Sequence, residues 1–203
     1  MNTMTARLAA AAIGIALFAT PAAWAQQQKP VRVSGTITAV DGSTLVVKGG
    51  DRAGIKVKLR DKAAVFGVVK ATLADIKAGS FVGVGAMPQS DGSQRAIRIM
   101  IFAETQRGTG EGHRPWDRPG STMTNATVDQ TVASVSGQVL MVKYKGGEKK
   151  IVVPPEATIL AYVVSDRSEL KPGAMIRIQS AMKQADGMFE TSRVNVGRGG
   201  VVP

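Results

Sequence analysis

The sequence predicts an all-β protein with two tandem OB-like five-stranded barrels, each carrying a short helical turn, behind an N-terminal signal peptide. Three observations support this prediction: an apolar N-terminal segment, two copies of one sequence pattern, and alternation of apolar and polar residues within each copy. The 203 residues include no Cys and carry a net charge of +11. This composition is typical of a globular chain and excludes a disulfide framework and a thiol nucleophile.

Residues 1–25 are predicted to be a signal peptide. Arg7 supplies the positive charge, Leu8 to Thr20 form an almost unbroken apolar run, and Ala23-Trp24-Ala25 is a small-residue cleavage motif before Gln26. The run is short for a bilayer, which takes about 20 apolar residues. A membrane anchor is the alternative, but we expect cleavage after Ala25 and a periplasmic or secreted protein. No later stretch is long and apolar enough to span a membrane.

The first repeat, residues 26–104, is predicted to form one barrel. Asp41-Gly42 indicates a tight hairpin turn, and residues 55–60 alternate between apolar and basic side chains. Leu73 to Lys77 are enough for one helical turn, and two further strands are expected near residues 81–84 and 97–101. Three strands, a helical turn and two strands are the order of an OB-type barrel. A two-sheet sandwich built from both repeats is the competing arrangement.

The second repeat, residues 127–197, is predicted to form a second barrel with the same topology. Gly35 to Lys48 resemble Gln130 to Lys143, which begin 95 residues later. Further matches follow in the same order, ending with Arg98 and Arg193. Collinear matches of this kind indicate a duplication. Residues 198–203 are expected to be a disordered tail.

Residues 105–126 are predicted to be a Gly/Pro-rich linker that holds the only His of the chain. We expect Trp116 to be a structural anchor that docks on a barrel, because burial of an indole is strongly favourable. Glu104, Glu111, His113 and Asp117 are alternatively candidate ligands for a divalent metal. Arginines interleaved with these residues favour ion pairs instead.

Basic residues near the hairpins are candidate anion-binding groups, because a barrel face with this charge suits a polyanion. A solvated face that blocks pairing at open sheet edges is the simpler interpretation. Few aromatic residues accompany these side chains, so we expect no nucleic-acid binding. The candidates are Lys48, Lys56, Lys58 and Arg60 in the first repeat, and Lys143, Lys145, Lys149 and Lys150 in the second.

The opening Val33 to Lys48, the block Leu73 to Val84 and the linker string Arg107 to Asp117 resemble bacterial exported proteins of a domain family of unknown function. That resemblance implies small β-barrel repeats and export, and it supplies no active site. Such proteins are sometimes labelled by automated transfer as metal-transporter permeases. A permease needs several spanning helices, and the sequence has no such stretches after the signal.

We therefore expect an exported, non-enzymatic module that binds an anionic envelope component or a protein partner. The chain has a single His and no G-x-S-x-G nucleophile motif, so an enzyme is not expected, and neither is a cofactor. A metal-handling accessory protein that uses the linker is the alternative. The sequence leaves the ligand and the oligomeric state open.

Overall fold

The computed structural model describes residues 29–50, 52–134 and 137–203. The predicted signal peptide lies outside these residues. The described part of the protein is all-β, as expected, and its helical residues are confined to 3-10 turns at Leu73–Asp75, Glu104–Gln106 and Arg167–Glu169. Within the described residues, no helix is long and apolar enough to cross a membrane.

In residues 29–50, 52–134 and 137–203, twelve strands form one continuous hydrogen-bonded sheet that closes twice on itself. Those of the first repeat are β1 (Val31–Asp41), β2 (Thr44–Gly49), β3 (Arg52–Lys70), β4 (Phe81–Pro88) and β5 (Gln94–Ile101). The rest are β6 (Gly112–Pro115), β7 (Thr122–Ser134), β8 (Gly137–Tyr144), β9 (Gly147–Val153), β10 (Thr158–Ser165), β11 (Met175–Lys183) and β12 (Phe189–Gly197).

The first closed ring, here called the terminal barrel, contains β1, β2, β3, β12 and β11. The β1–β2 hairpin pairs with β3 on one side and β11 on the other, and β12 runs parallel to β3 to close the ring. Alternate side chains of all five strands fill its interior, among them the fully buried Leu45, Val57 and Ile178. Both ends of the described chain therefore contribute to one core.

The second closed ring, here called the central barrel, contains β4, β5, β7, β8 and β9. Its strands have the same relative directions, and a short parallel pairing of Gln94 with Ile151 and Arg95 with Val152 closes the ring. Val84, Ile99 and Leu140 are fully buried in its core. The two barrels have separate cores but share a sheet.

The prediction of one barrel for each repeat is wrong. The last two strands of each repeat complete the barrel of the other repeat, so each ring mixes three strands of one with two of the other. The physical reason is the length of β3, which continues for 19 residues and carries the chain out of the terminal barrel. Strands β4 and β5 then start beside the central barrel, and their apolar faces are buried there instead.

Strand β10 joins the two rings, and a pseudo-twofold axis that relates the two repeats passes between β10 and β3. Strand β10 pairs antiparallel with the second half of β3, placing Tyr162 opposite Val68 and Val163 opposite Gly67. Tyr162 is itself the repeat equivalent of Val68, because Lys56-Val57 matches Lys150-Ile151 and Asp75 matches Glu169 at an offset of 94 residues. Antiparallel pairing centred on two equivalent residues relates the two repeats by a twofold rotation. In the second repeat, Pro154-Pro155 separate β9 from β10, because proline lacks the N–H that the ladder needs.

The linker and the tail are both part of the fold. Strand β6, within the linker, pairs with β7. The expectation of a disordered tail at residues 198–203 is wrong, since Val201 is 7% exposed and the Arg198 N–H donates to the carbonyl of Val68. A Cβ on Gly197 would lie 1.8 Å from the carbonyl oxygen of Val201, so this close return requires glycine.

A half-exposed ionic network fastens the tail near the pseudo-twofold axis. The Arg198 Nε donates to Glu169 at 2.9 Å, and the Ser165 hydroxyl donates to the same carboxylate at 2.5 Å. The hydrogen bond from Arg198 holds the pKa of Glu169 below its usual value, against the opposing effect of burial. The ionised carboxylate is therefore the form that stabilises this end of the chain.

Cleavage of the linker will not separate the two repeats. With a protease site inserted between the exposed Pro119 and Gly120, the cut fragments should elute together at the size of the intact chain, because each barrel contains strands from both. Size-exclusion chromatography with and without denaturant measures this. Two half-sized species under native conditions would contradict the exchanged pairing.

Replacement Glu169→Gln should lower the free energy of unfolding by about 1 kcal/mol at neutral pH. A carboxyl whose pKa is lowered by folding stabilises above its unfolded value and loses this contribution as pH falls through its folded value. The difference from the unsubstituted protein should therefore shrink below about pH 4. Urea titrations across pH test this, with the exposed Glu148→Gln as control. If the loss of unfolding free energy in Glu169→Gln does not change with pH, the charge of the Glu169 carboxylate does not contribute to stability.

Candidate functional site

The strand exchange creates a cleft between the two barrels. The outward faces of β4, β5, β10, β11 and β12 line it, and the linker forms one wall. Alternation along each strand explains this lining: Val194 and Val196 enter the terminal core, so Arg193 and Asn195 face out into the cleft. The cavity has a volume of about 380 Å³.

Arginines dominate the charge of this cleft. Among the side chains of its lining, the carboxylate is that of Asp117, whose oxygen lies 2.5 Å from the guanidinium of Arg32. The other four arginines form no ion pair with any acid of residues 29–50, 52–134 and 137–203. The five are Arg32, Arg98, Arg114, Arg177 and Arg193.

Tyr162 of β10 lies among three of these arginines. Burial raises the pKa of the Tyr162 hydroxyl, although Arg193, Arg177 and Arg98 act to lower it. Its ring packs edge-on against Phe102, at 5.5 Å between ring centroids, and against Phe66 at 6.2 Å. Tyr162 is therefore protonated near neutral pH, and its hydroxyl forms a hydrogen bond with the side chain of Gln179.

Two buried polar atoms of the cleft have no hydrogen-bond partner among the described residues. These are the Asn195 Oδ1 and the Arg177 Nε, and Asn195 is only 2% exposed. The two residues lie directly opposite each other on β12 and β11. Directly opposite side chains have Cβ atoms about 5 Å apart, so one acceptor and one donor stand unpaired side by side.

Trp116 forms the linker side of the cleft. The backbone N–H of Trp116 donates to the carbonyl of Ser121 at 2.9 Å. The indole ring lies against Gly85 of β4. A Cβ at Gly85 would come within 2.3 Å of the Trp116 Cζ3. The close approach of ring and strand thus depends on a residue without a side chain. The sequence singled out Trp116 as an anchor but gave no sign of the glycine beneath it.

The basic residues singled out from the sequence lie elsewhere. None of the eight lines the cleft. Some are paired with acids: Arg60 with Glu190 at 3.0 Å, Lys143 with Asp129 at 3.0 Å, and Lys150 with Asp91 at 4.0 Å. On the first repeat, Lys48, Lys56 and Lys58 are exposed on β2 and β3. They form a solvated surface and are not gathered into a concave site.

The four candidate metal ligands are not brought together. No group of three or more His, Asp or Glu side chains suited to a metal occurs in the part of the chain that the structure describes. Burial, and then the charge of Lys149, lower the pKa of His113. Each ligand has another partner: Glu104 binds Arg107 at 2.5 Å, Glu111 accepts from the Lys145 N–H at 2.9 Å, His113 Nδ1 contacts Thr124 Oγ1 at 2.8 Å, and Asp117 binds Arg32.

Substitution Gly85→Ala should displace Trp116 from β4 and destabilise the protein by about 1–3 kcal/mol through overpacking. In a chain that also carries Trp24→Phe, Trp116 is the only Trp, so its emission should shift to the red and iodide should quench it more strongly. Gly83→Ala is the matched control, because a Cβ there meets Asn125 and Phe102 instead. An unchanged spectrum for Gly85→Ala would contradict the contact.

Comparison with known proteins agrees with the resemblance noted in the sequence. The family described as Domain of unknown function (DUF5666) matches residues 34–100. No curated protein and no solved structure matches the chain. The matched segment runs from β1 into β5 and so contributes three strands to the terminal barrel and two to the central barrel. The chain therefore contains a DUF5666 domain of unknown function, and the strands of this domain are divided between two barrels.

Proposed function

We propose that this protein is an exported, non-enzymatic binding protein whose cleft between the barrels takes an anionic ligand. The observation that carries the proposal is the charge of the cleft, where five arginines face one side-chain carboxylate. The ligand belongs to an anionic component of the cell envelope or to an acidic group on a protein partner. Export follows from the signal peptide expected at residues 1–25.

Electrostatics favour the cleft over the lysine surface as the specific site. Guanidinium groups present several donors in a fixed plane and bind carboxylate or phosphate through paired hydrogen bonds. Arg98, Arg177 and Arg193 are partly buried, so salt screens them less than it screens the exposed lysines. The lysines add long-range attraction that draws an anion towards the protein.

The chemistry of the cleft supports binding without catalysis. The titratable side chains in its lining are those of the five arginines, Tyr162 and Asp117. Asp117 is held by Arg32, and the raised pKa of Tyr162 keeps that hydroxyl protonated. Neither is suited to remove a proton from a ligand near neutral pH.

The proposal extends to the fold class. Each ring has the order expected of an OB-like barrel, with the third and fifth strands parallel and the fourth beside the first. In this interpretation the two OB-like barrels are complete, but each takes its fourth and fifth strands from the other repeat. The outward faces of those exchanged strands carry three of the five arginines of the cleft, Arg98, Arg177 and Arg193.

Citrate and inorganic phosphate should bind the cleft, with an affinity that falls between low and high salt. The double variant Arg98→Gln/Arg193→Gln should weaken binding at least about tenfold, because charged hydrogen bonds are lost at equivalent positions of both repeats. Isothermal titration calorimetry measures both effects. Lys56→Gln/Lys58→Gln removes the same charge from the exposed surface and is the matched control.

Two results would contradict this proposal. If the lysine variant weakens binding as much as the arginine variant, net charge and not the cleft determines affinity. If neither anion binds at low salt while both variants remain folded by circular dichroism, the cleft is not an anion site.

A further inference from the structure

Resting on the proposed anion site, we propose that its ligand is an acidic sugar, a hydroxylated ring that carries a carboxylate or a phosphate. Such a group occurs as the terminal unit of an anionic glycan. Three features of the cleft each select one part of this ligand: the arginines select the anion, Asn195 selects a hydroxyl, and the linker wall selects a ring.

The arginines around Tyr162 indicate where the anionic group of the ligand binds. Arg98, Arg177 and Arg193 come from β5, β11 and β12 and all influence the Tyr162 hydroxyl electrostatically. No acid among the described residues pairs with them. Arg193 also lies over the ring of Phe66, 5.2 Å from its centroid, which fixes the direction of its guanidinium. The charge that neutralises this group must therefore come from a ligand or from solvent ions.

The unpaired atoms of Asn195 and Arg177 indicate that the ligand carries a hydroxyl beside its anionic group. Buried polar atoms in proteins almost always have hydrogen-bond partners, so two such atoms at the floor of one cleft indicate missing ligand contacts. The Arg177 Nε needs an acceptor, which the anion supplies. The Asn195 Oδ1 needs a donor, which a simple anion such as acetate or sulfate lacks. A hydroxyl on the same ring as the acidic group of a sugar provides that donor.

The ring is placed by the apolar wall of the cleft. Trp116, Met100, Met123 and Phe102 contribute apolar side chains to its lining. The negative face of an indole favours the C–H bonds of a sugar ring, which carry partial positive charge. The volume of about 380 Å³ is at the small end of ligand pockets, which suits one or two sugar rings.

A nucleotide is the principal competing ligand, because a base can also stack on Trp116. A base, a ribose and a phosphate occupy more length than a single acidic ring, and the base edge needs several polar partners. Of the polar groups near the linker, Asn125 already donates to the carbonyl of Thr109 at 3.0 Å, and Asp117 is paired with Arg32. We therefore favour the sugar and include the nucleotide in the test.

The test is a ligand series measured on the full chain carrying Trp24→Phe, using Trp116 emission and calorimetry. Galacturonic acid and glucose 6-phosphate should bind at least tenfold more tightly than acetate, sulfate or galactose, and should shift Trp116 emission. The variant Asn195→Leu, which keeps the side-chain size, should reduce this advantage to about twofold or less while acetate and sulfate binding stays unchanged.

The outcomes separate the two proposals. If simple anions bind through the arginines as tightly as the sugar acids do, the sugar assignment is overturned and the anion site stands. If AMP binds more tightly than either sugar acid, the ligand class is a nucleotide. If no anion binds at all, both proposals fail. The ligand series on the unsubstituted cleft decides these points even where Asn195→Leu does not fold.

Discussion

Continuous hydrogen bonding along β3 is the constraint on which the rest of the structure depends. The strand belongs to the terminal barrel through its first half and pairs with β10 through its second half. Because it does not turn back after Leu59, the chain cannot place β4 and β5 on the barrel that it has just left. The guanidinium of Arg167 donates to the carbonyls of Arg60 and Asp61, where the register with β12 shifts, and so satisfies the backbone at that irregularity.

The pairing of β3 with β10 also explains why the cleft exists. Two independent barrels on a flexible linker would have no fixed surface in common. Here the exchange places β12 and β5 on either side of the β3–β10 pair, so their outward faces lie on one curved sheet. Arg98 and Arg193, which are equivalent in the two repeats, are thereby brought to the same cavity. Because of the pseudo-twofold relation, this pair of equivalent arginines lines the cavity from two sides.

The two repeats are not identical around the axis, and the differences concern the cleft. The tail closes one end of the β3–β10 pair with Val201 against Val68 and Leu160. The segment after β5 instead continues into the linker, which brings Trp116 over Gly85. One symmetric sheet is therefore covered by two different segments, and the linker is the one that adds Trp116 to the lining of the cavity.

The sequence by itself determined the strands, the repeat and the class of fold, because these depend on the local alternation of apolar and polar residues and on turn signals such as Asp41-Gly42. Its candidate site residues were those close together in the chain, such as Lys56 and Lys58, which share an exposed face. The arginines of the cleft are spread from Arg32 to Arg193, so no local pattern marked them. Which barrel β4 and β5 complete was decided only by tertiary structure, because their apolar faces are compatible with either core, and long-range pairing through β3 selects one.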